Sequence, residues 1–434
     1  MKKLATLVGM GAAILSATAA ERIDSFFDTS NSWQPRDWSS TRAWRGYQYA
    51  QGGGIATFSF DGHLTGQGDA ADYVNQNVEG LTLKGLNLLN FWVLRFSGKA
   101  ISFCGGDPWV SSARTDANIQ HLDMTLKGDG ANALAKKGKG KLTLNVPPSA
   151  FTSLDLVQGT LVITNDTGAD TLGANGVPVT VKTGTLSFET ANSGGAATVA
   201  TVKNGGGLGK VAVKTGTLTA GSLVTERGGV LALETTSGGK FLVSGKTSVT
   251  APDGGLVALS GRDVRFLDYD ATEGWKVGTS IPANARIFGT SGDAAGTVTE
   301  TGAISFDNAG YVWRPAGVGA TTLKVTGAIT APGGVTFASA AATSATRPKV
   351  DLSAQSSLSG KTLSFVGVSV AADGLTPAVL NGSDLAVYGD GLNAAYGATL
   401  NLSAKVHKEQ EYDFTLHLAG SDGVSAMDLS GNDW

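Results

Sequence analysis

Short runs along this chain alternate hydrophobic with polar positions, and one ten-residue form of that alternation recurs through the middle. Written as apolar-x-apolar-x-x-Gly-Thr-Leu-x-apolar, it stands at Leu154–Ile163, Val179–Phe188 and Val211–Ala220. A weaker copy at Val224–Leu233 keeps Gly229, Leu231 and Leu233. Val179 and Val181 alternate with Thr180, the period-two signature of a half-buried strand. After Gly184 the apolar set changes parity, to Leu186 and Phe188. A straight strand cannot hold both sets on one face, because a one-residue slip turns every side chain over. Lys182-Thr183-Gly184 therefore reads as a corner, with glycine supplying the backbone freedom.

Such a unit is too small to fold alone and must be covered by neighbours of its own kind. The expectation is an all-β chain wound as a parallel β-helix or β-solenoid. The copies begin 25, 32 and 13 residues apart. Thirteen residues are too few for a full three-sided coil, so some copies are expected to be hairpins or partial rungs. The outward positions of the copies are read as Asp155, Thr180 and Ala212, then Val162, Ser187 and Thr219, a largely neutral wall.

The alternation is not uniform. Residues 1–19 have the plan of a bacterial secretory signal: basic Lys2-Lys3, the apolar run Leu4–Leu15, and the small-x-small end Ala17-Thr18-Ala19. Cleavage is expected near Ala19 or Ala20, since twelve apolar residues are too few to span a bilayer. Residues 20–78 form an aromatic-rich cap or module, with Trp33, Trp38, Trp44, Tyr47 and Tyr49 within seventeen residues. Residues 79–260 carry the solenoid repeats. Residues 261–434 form a β-rich C-terminal region, either a second domain or a continuation, with a soft boundary near 261 where charge rises.

Composition narrows the classes. Glycine is 61 of 434 residues, about twice its usual ~7% share. Only 11 prolines argue against a collagen-like or proline-rich stalk. Without Lys2 and Lys3, 31 basic residues face 36 acidic ones, a net of −5. That is too weak to steer nucleic acid. Cys104 is the only cysteine, so no intrachain disulfide forms.

Lys136–Leu144 (KKGKGKLTL) followed by Thr152–Ile163 (TSLDLVQGTLVI) resembles the autotransporter-associated β-strand repeat of bacterial surface proteins. The layout upstream is similar too: Trp38 and Trp44, the strand Ala56–Phe60, then VEGLTLKG and FCGGDPWV. The resemblance covers roughly residues 30–235 and implies a secreted, passenger-like β-helix of structural or adhesive type. The chain departs from it at Ser425–Trp434, which does not alternate as a closing membrane-barrel strand would.

Candidate chemistry is sparse. His63, His121, His407 and His417 do not fall at metal-ligand spacing, and His417 reads as an exposed strand residue. Gly245-Lys246-Thr247, Gly360-Lys361-Thr362 and Asn204–Lys210 lack the first glycine of a phosphate loop and read as turns. Lys136, Lys137, Lys139 and Lys141 read as a solvated turn. Asp263, Asp268, Asp270 and Glu273, beside Arg262 and Arg265, form the best acidic cluster, and its plain reading is a solvated loop. Trp33, Trp38, Trp44 and Tyr47 are the candidate glycan-stacking residues, against the plain reading that they plug the first coil.

The expectation is thus an exported, non-enzymatic, extracellular structural or adhesive protein with no cofactor and no metal. Its partners would be glycans, extracellular matrix or other cell-surface proteins. The alternatives are a polysaccharide lyase or glycoside hydrolase on a β-helix, or a carbohydrate-binding module.

Overall fold

The computed structural model describes residues 23–26, 36–37, 53–59, 72–89, 94–113, 120–164, 172, 176–191, 194–226, 228–236, 238–247, 249, 253–340, 346–355, 358–359, 362–371, 379, 381–388, 399–401, 415–419 and 426–428. These residues form an all-β solenoid of parallel ladders in two stacks.

The first stack has two long walls. One wall runs from Ile23–Phe26 through Trp109–Ser112, Leu134–Lys137, Leu154–Leu156, Val179–Val181, Ala196–Asn204 and Thr217–Thr225 to Lys240–Val243. The other runs from Arg36–Asp37 through Lys141–Leu144, Thr160–Ile163, Thr185–Phe188, Gly207–Val213 and Gly229–Thr235 to Leu256–Ser260. Leu154 pairs with Val179 and Leu161 with Leu186, 25 residues on in each case. Ala197 pairs with Leu218 after only 21. Each coil thus stacks like on like: Leu161, Leu186 and Val211 form one inward column, and Ile163, Phe188 and Val213 the next. All are buried, so the apolar alternation supplies a continuous core.

The register corrects one reading. The first two Gly-Thr-Leu copies pass from the first wall to the second, with Leu154–Leu156 and Thr160–Ile163 on either side of the corner. The third does the opposite, because Val211 and Val213 end a second-wall strand and Thr217 opens a first-wall strand. The motif marks a corner, and either corner will serve. That is why the last two copies start only 13 residues apart: they are consecutive half-coils. Ala212 accordingly stacks on Ser187, and Thr219 on Thr198. Gly159 and Gly216 hold φ of 72° and 75° at their corners, a conformation that an L side chain strains to adopt.

The last coil is closed by an antiparallel meander. Asp263–Asp270 pairs with Leu256–Ser260, and Gly274–Val277 pairs with Asp263–Asp270. Tyr269 and Trp275 turn into the core end with their rings edge to face at 4.9 Å. The Tyr269 hydroxyl donates to the Val243 carbonyl (3.1 Å) and accepts from the Val243 amide (2.9 Å), tying the meander to the first wall. Lys246 lies over both rings. The end of an open stack is thereby covered, as edge strands require.

The second stack has three walls, beginning with Ala285–Ile287, Thr297–Glu300 and Ile304–Ser305. Val312, Phe337, Phe365 and Val387 fill its inner column. It folds back along the first stack. Ala285 approaches Gly254, Tyr311 approaches Gly255, and Tyr388 lies against Gly206 and Gly228. As the second stack advances its contacts on the first recede, so the two axes run antiparallel. A third apolar core fills the seam: Leu208, Val230, Ala232, Val257 and Phe266 from the first stack meet Tyr311, Trp313, Ala338 and Val366 from the second.

Candidate functional site

The aromatic candidates Trp33, Trp38, Trp44 and Tyr47 lie outside the described residues, as do His63 and His407 and the leader, residues 1–19. The acidic candidates lie on the closing meander, not in a loop. Asp270 accepts backbone N–H groups from Thr272 (2.8 Å) and Glu273 (3.0 Å), which hold its carboxyl below the usual range. Glu273 pairs with Lys240 at 3.1 Å. These carboxylates close a turn and join strands, and they do not converge. Among the described residues no three His, Cys, Asp or Glu side chains are grouped so as to hold a metal ion.

His417 stands at the half-exposed edge of the second stack with Nε2 3.0 Å from Asp384 Oδ1. His121 is partly buried on the second wall, and burial, reinforced by the adjacent Arg95, lowers its pKa and favours the neutral ring. The glycine run after Asn204 is a corner that admits the Tyr388 ring. Gly245 likewise turns with φ of 70°.

The lysine cluster is split. Lys136 is buried, standing in an inward column between Val110 and Leu156. Its ammonium donates to the carbonyls of Lys137 (2.9 Å), Gly138 (2.8 Å) and Gln158 (3.0 Å), using all three of its donors. Burial pulls its pKa down to about 7. It is a clamp between two corners and not part of a solvated turn. Lys137 is exposed on the opposite face of the same strand. The neutral outer wall is also less open than the sequence suggests, since Val162, Ser187 and Ala212 are all buried.

Two features of the surface are shaped for contact. The first is a groove of about 420 Å³ at the end of the first stack. There the ladder between Gly229–Thr235 and Leu256–Ser260 stops at Ala232 and Val257, although both strands continue. Leu233, Leu267 and Trp275 line the opening, and Lys210, Glu234 and Lys276 line its polar side. Lys210 and Glu234 form an ion pair with each other.

The second lies on the first wall. Trp109 faces outward, half-buried, beside Gly85 on one coil and Ala135 on the next. Its indole lies over Gly85, so closely that a Cβ there would fall 2.5 Å from Cε2. Lys137 Nζ stands over the ring at 5.7 Å from its centre. The chain FCGGDPWV contains Trp109, but which residue faces it across the ladder depends on register, and that is what the sequence conceals.

No protein-family model matches this chain, and comparison with curated proteins and with solved structures finds no similar one.

Proposed function

We infer that this chain is an exported, non-enzymatic β-solenoid that acts outside the cell as a structural or adhesive surface element. The observation that carries the reading is the seam. Two stacks doubled back on each other, with their own buried core between them, make a stiff slab rather than a hinged pair. Coil-on-coil hydrogen bonding and inward columns resist bending along the slab, and its outward faces offer shallow polar contact. The leader-like start, residues 1–19, supports export. Asp270 and Glu273 of the closing meander are engaged in a turn and in ion pairs, which favours contact over cleavage.

Two measurements on the intact chain test this. N-terminal sequencing of secreted protein from an expressing bacterium should give a mature start at Ala20 or Glu21; retention of Met1 on cytoplasmic protein counts against export. Incubation with immobilised polysaccharides and matrix proteins should give retention without released reducing ends. Release of sugar would transfer the chain to the enzyme class.

A further inference from the structure

We propose that Trp109, with Lys84 and Lys137, forms a stacking site for an anionic sugar ring, a uronic-acid residue of a polysaccharide. This deepens the adhesive reading above and rests on it.

The site is built by a local irregularity. In the ladder between Gly54–Ser59 and Thr82–Leu88, Gly54 faces Leu83 but Ile55 faces Gly85, so Lys84 is an extra residue. Such a bulge sends two neighbouring residues to one side of a strand. Lys84 is accordingly exposed, and Gly85, having no side chain, leaves room for the indole of Trp109 to lie across it. One face of the ring is thus committed to backbone. Over the ring stands the ammonium of Lys137, a flexible and exposed side chain. Asn87 and Ser111, partly exposed, occupy the neighbouring outward column that leads to Lys137.

Each element answers a feature of the ligand. A sugar ring presents a face of C–H groups that packs on an indole, and its hydroxyls need amide and hydroxyl partners such as Asn87 and Ser111. Lys137 over the ring and the exposed Lys84, next to Gly85 at the bulge, supply positive charge, so a carboxylate on the sugar gains charge-assisted hydrogen bonds. The acid two positions from Trp109 along its own column, Asp155, is occupied by Lys182 at 2.8 Å and by Ser153 at 2.6 Å, and does not oppose it. Asp107, in the turn two residues ahead of Trp109, is exposed.

The test is affinity electrophoresis of the full chain through gels containing polygalacturonate or, in parallel, uncharged dextran. The unmodified protein should be retarded by polygalacturonate and not by dextran, and 0.5 M salt, which shortens the screening length about sevenfold from 0.01 M buffer, should release it. Trp109→Ala should weaken retardation at least tenfold. Because removing the indole uncovers Gly85, the double variant K84Q/K137Q provides a second arm that leaves the sheet intact. It should weaken retardation severalfold with an unchanged melting temperature. Equal retardation of all three proteins, or equal retardation by dextran, overturns the proposal. If polygalacturonate is not bound while matrix protein is, this site fails and the adhesive reading stands; if neither is bound, both fail.

Discussion

Tyr311 donates its hydroxyl to the carbonyl of Gly229 at 3.1 Å, joining the two stacks through residues 82 positions apart. Burial, helped by Asp253, holds that hydroxyl protonated well above its ordinary range. Trp313, two residues on in the same strand, makes a parallel contact to the next coil of the first stack, its indole N–H donating to the Gly254 carbonyl at 2.9 Å. Tyr311→Phe leaves one buried carbonyl unpaired and should cost about 1–2 kcal/mol. Gly255→Ala should cost more, because the new methyl would stand 2.6 Å from the Tyr311 oxygen with backbone behind it. Urea unfolding of the full chain should show lower midpoints for both, in that order. Unchanged midpoints would mean that the seam contributes nothing to stability.

Leu186 and Thr185 are neighbours on one strand with opposite duties. Leu186 is fully buried between Leu161 and Val211, whereas Thr185 faces outward between Thr160 and Lys210. Leu186→Asp places an unpaired charge in the core and should unfold the first stack or lower its stability by several kcal/mol, which is read as a lower melting midpoint. Thr185→Asp, at a partly exposed outward position beside Lys210, should shift stability far less, by about 1 kcal/mol or under. Thermal melts followed by circular dichroism check this, and similar losses from both variants would contradict the register.

That register was half legible from sequence. The parity change at Gly184 locates the corner and the inward side chains correctly, because both follow from local alternation. The assignment of a corner to one wall or the other does not, because Val211–Ala220 and Val179–Phe188 have the same local pattern and differ only in what they stack on. The Lys136 clamp was concealed for the same reason: its neighbours Gly138 and Lys139 look solvated, and only the column from Val110 to Leu156 places its side chain inside. Outward Val162 and Ala212 were read as open wall, yet they are buried, a property of tertiary packing that no single coil encodes.

The Lys136 clamp predicts a pH dependence with a definite sign. Its pKa falls from 10.5 in the free side chain to about 7 in the folded chain. Between those values the unfolded chain binds the proton and the folded chain releases it, so stability rises as pH rises from about 7 to about 10.5. Below pH 7 both states are protonated, and the cost of the buried charge is constant. Lys136→Met removes the titration while keeping the packed stem. The difference in unfolding free energy between native and variant chains should therefore move in favour of the native protein across that window. A pH-independent difference would show that the amine does not change charge.

Arg286 closes the other open end. It stands at the head of the inward column that continues as Val312, Phe337, Phe365 and Val387, yet it is exposed. Its guanidinium lies 5.6 Å from the centre of the Phe306 ring and donates to the Ala285 carbonyl at 2.8 Å. An inward-pointing charge at a terminal coil blocks the addition of another coil from a second molecule, since stacking would bury it unpaired. Arg286→Leu makes that coil resemble an interior one and leaves an apolar end with free strand edges. Light scattering over a concentration series should then show the variant shifting to higher mass at concentrations where the unmodified protein does not. Arg286→Lys, which keeps the charge, should behave as the parent. If Arg286→Leu and the parent have the same mass throughout, the charge is not what guards this end.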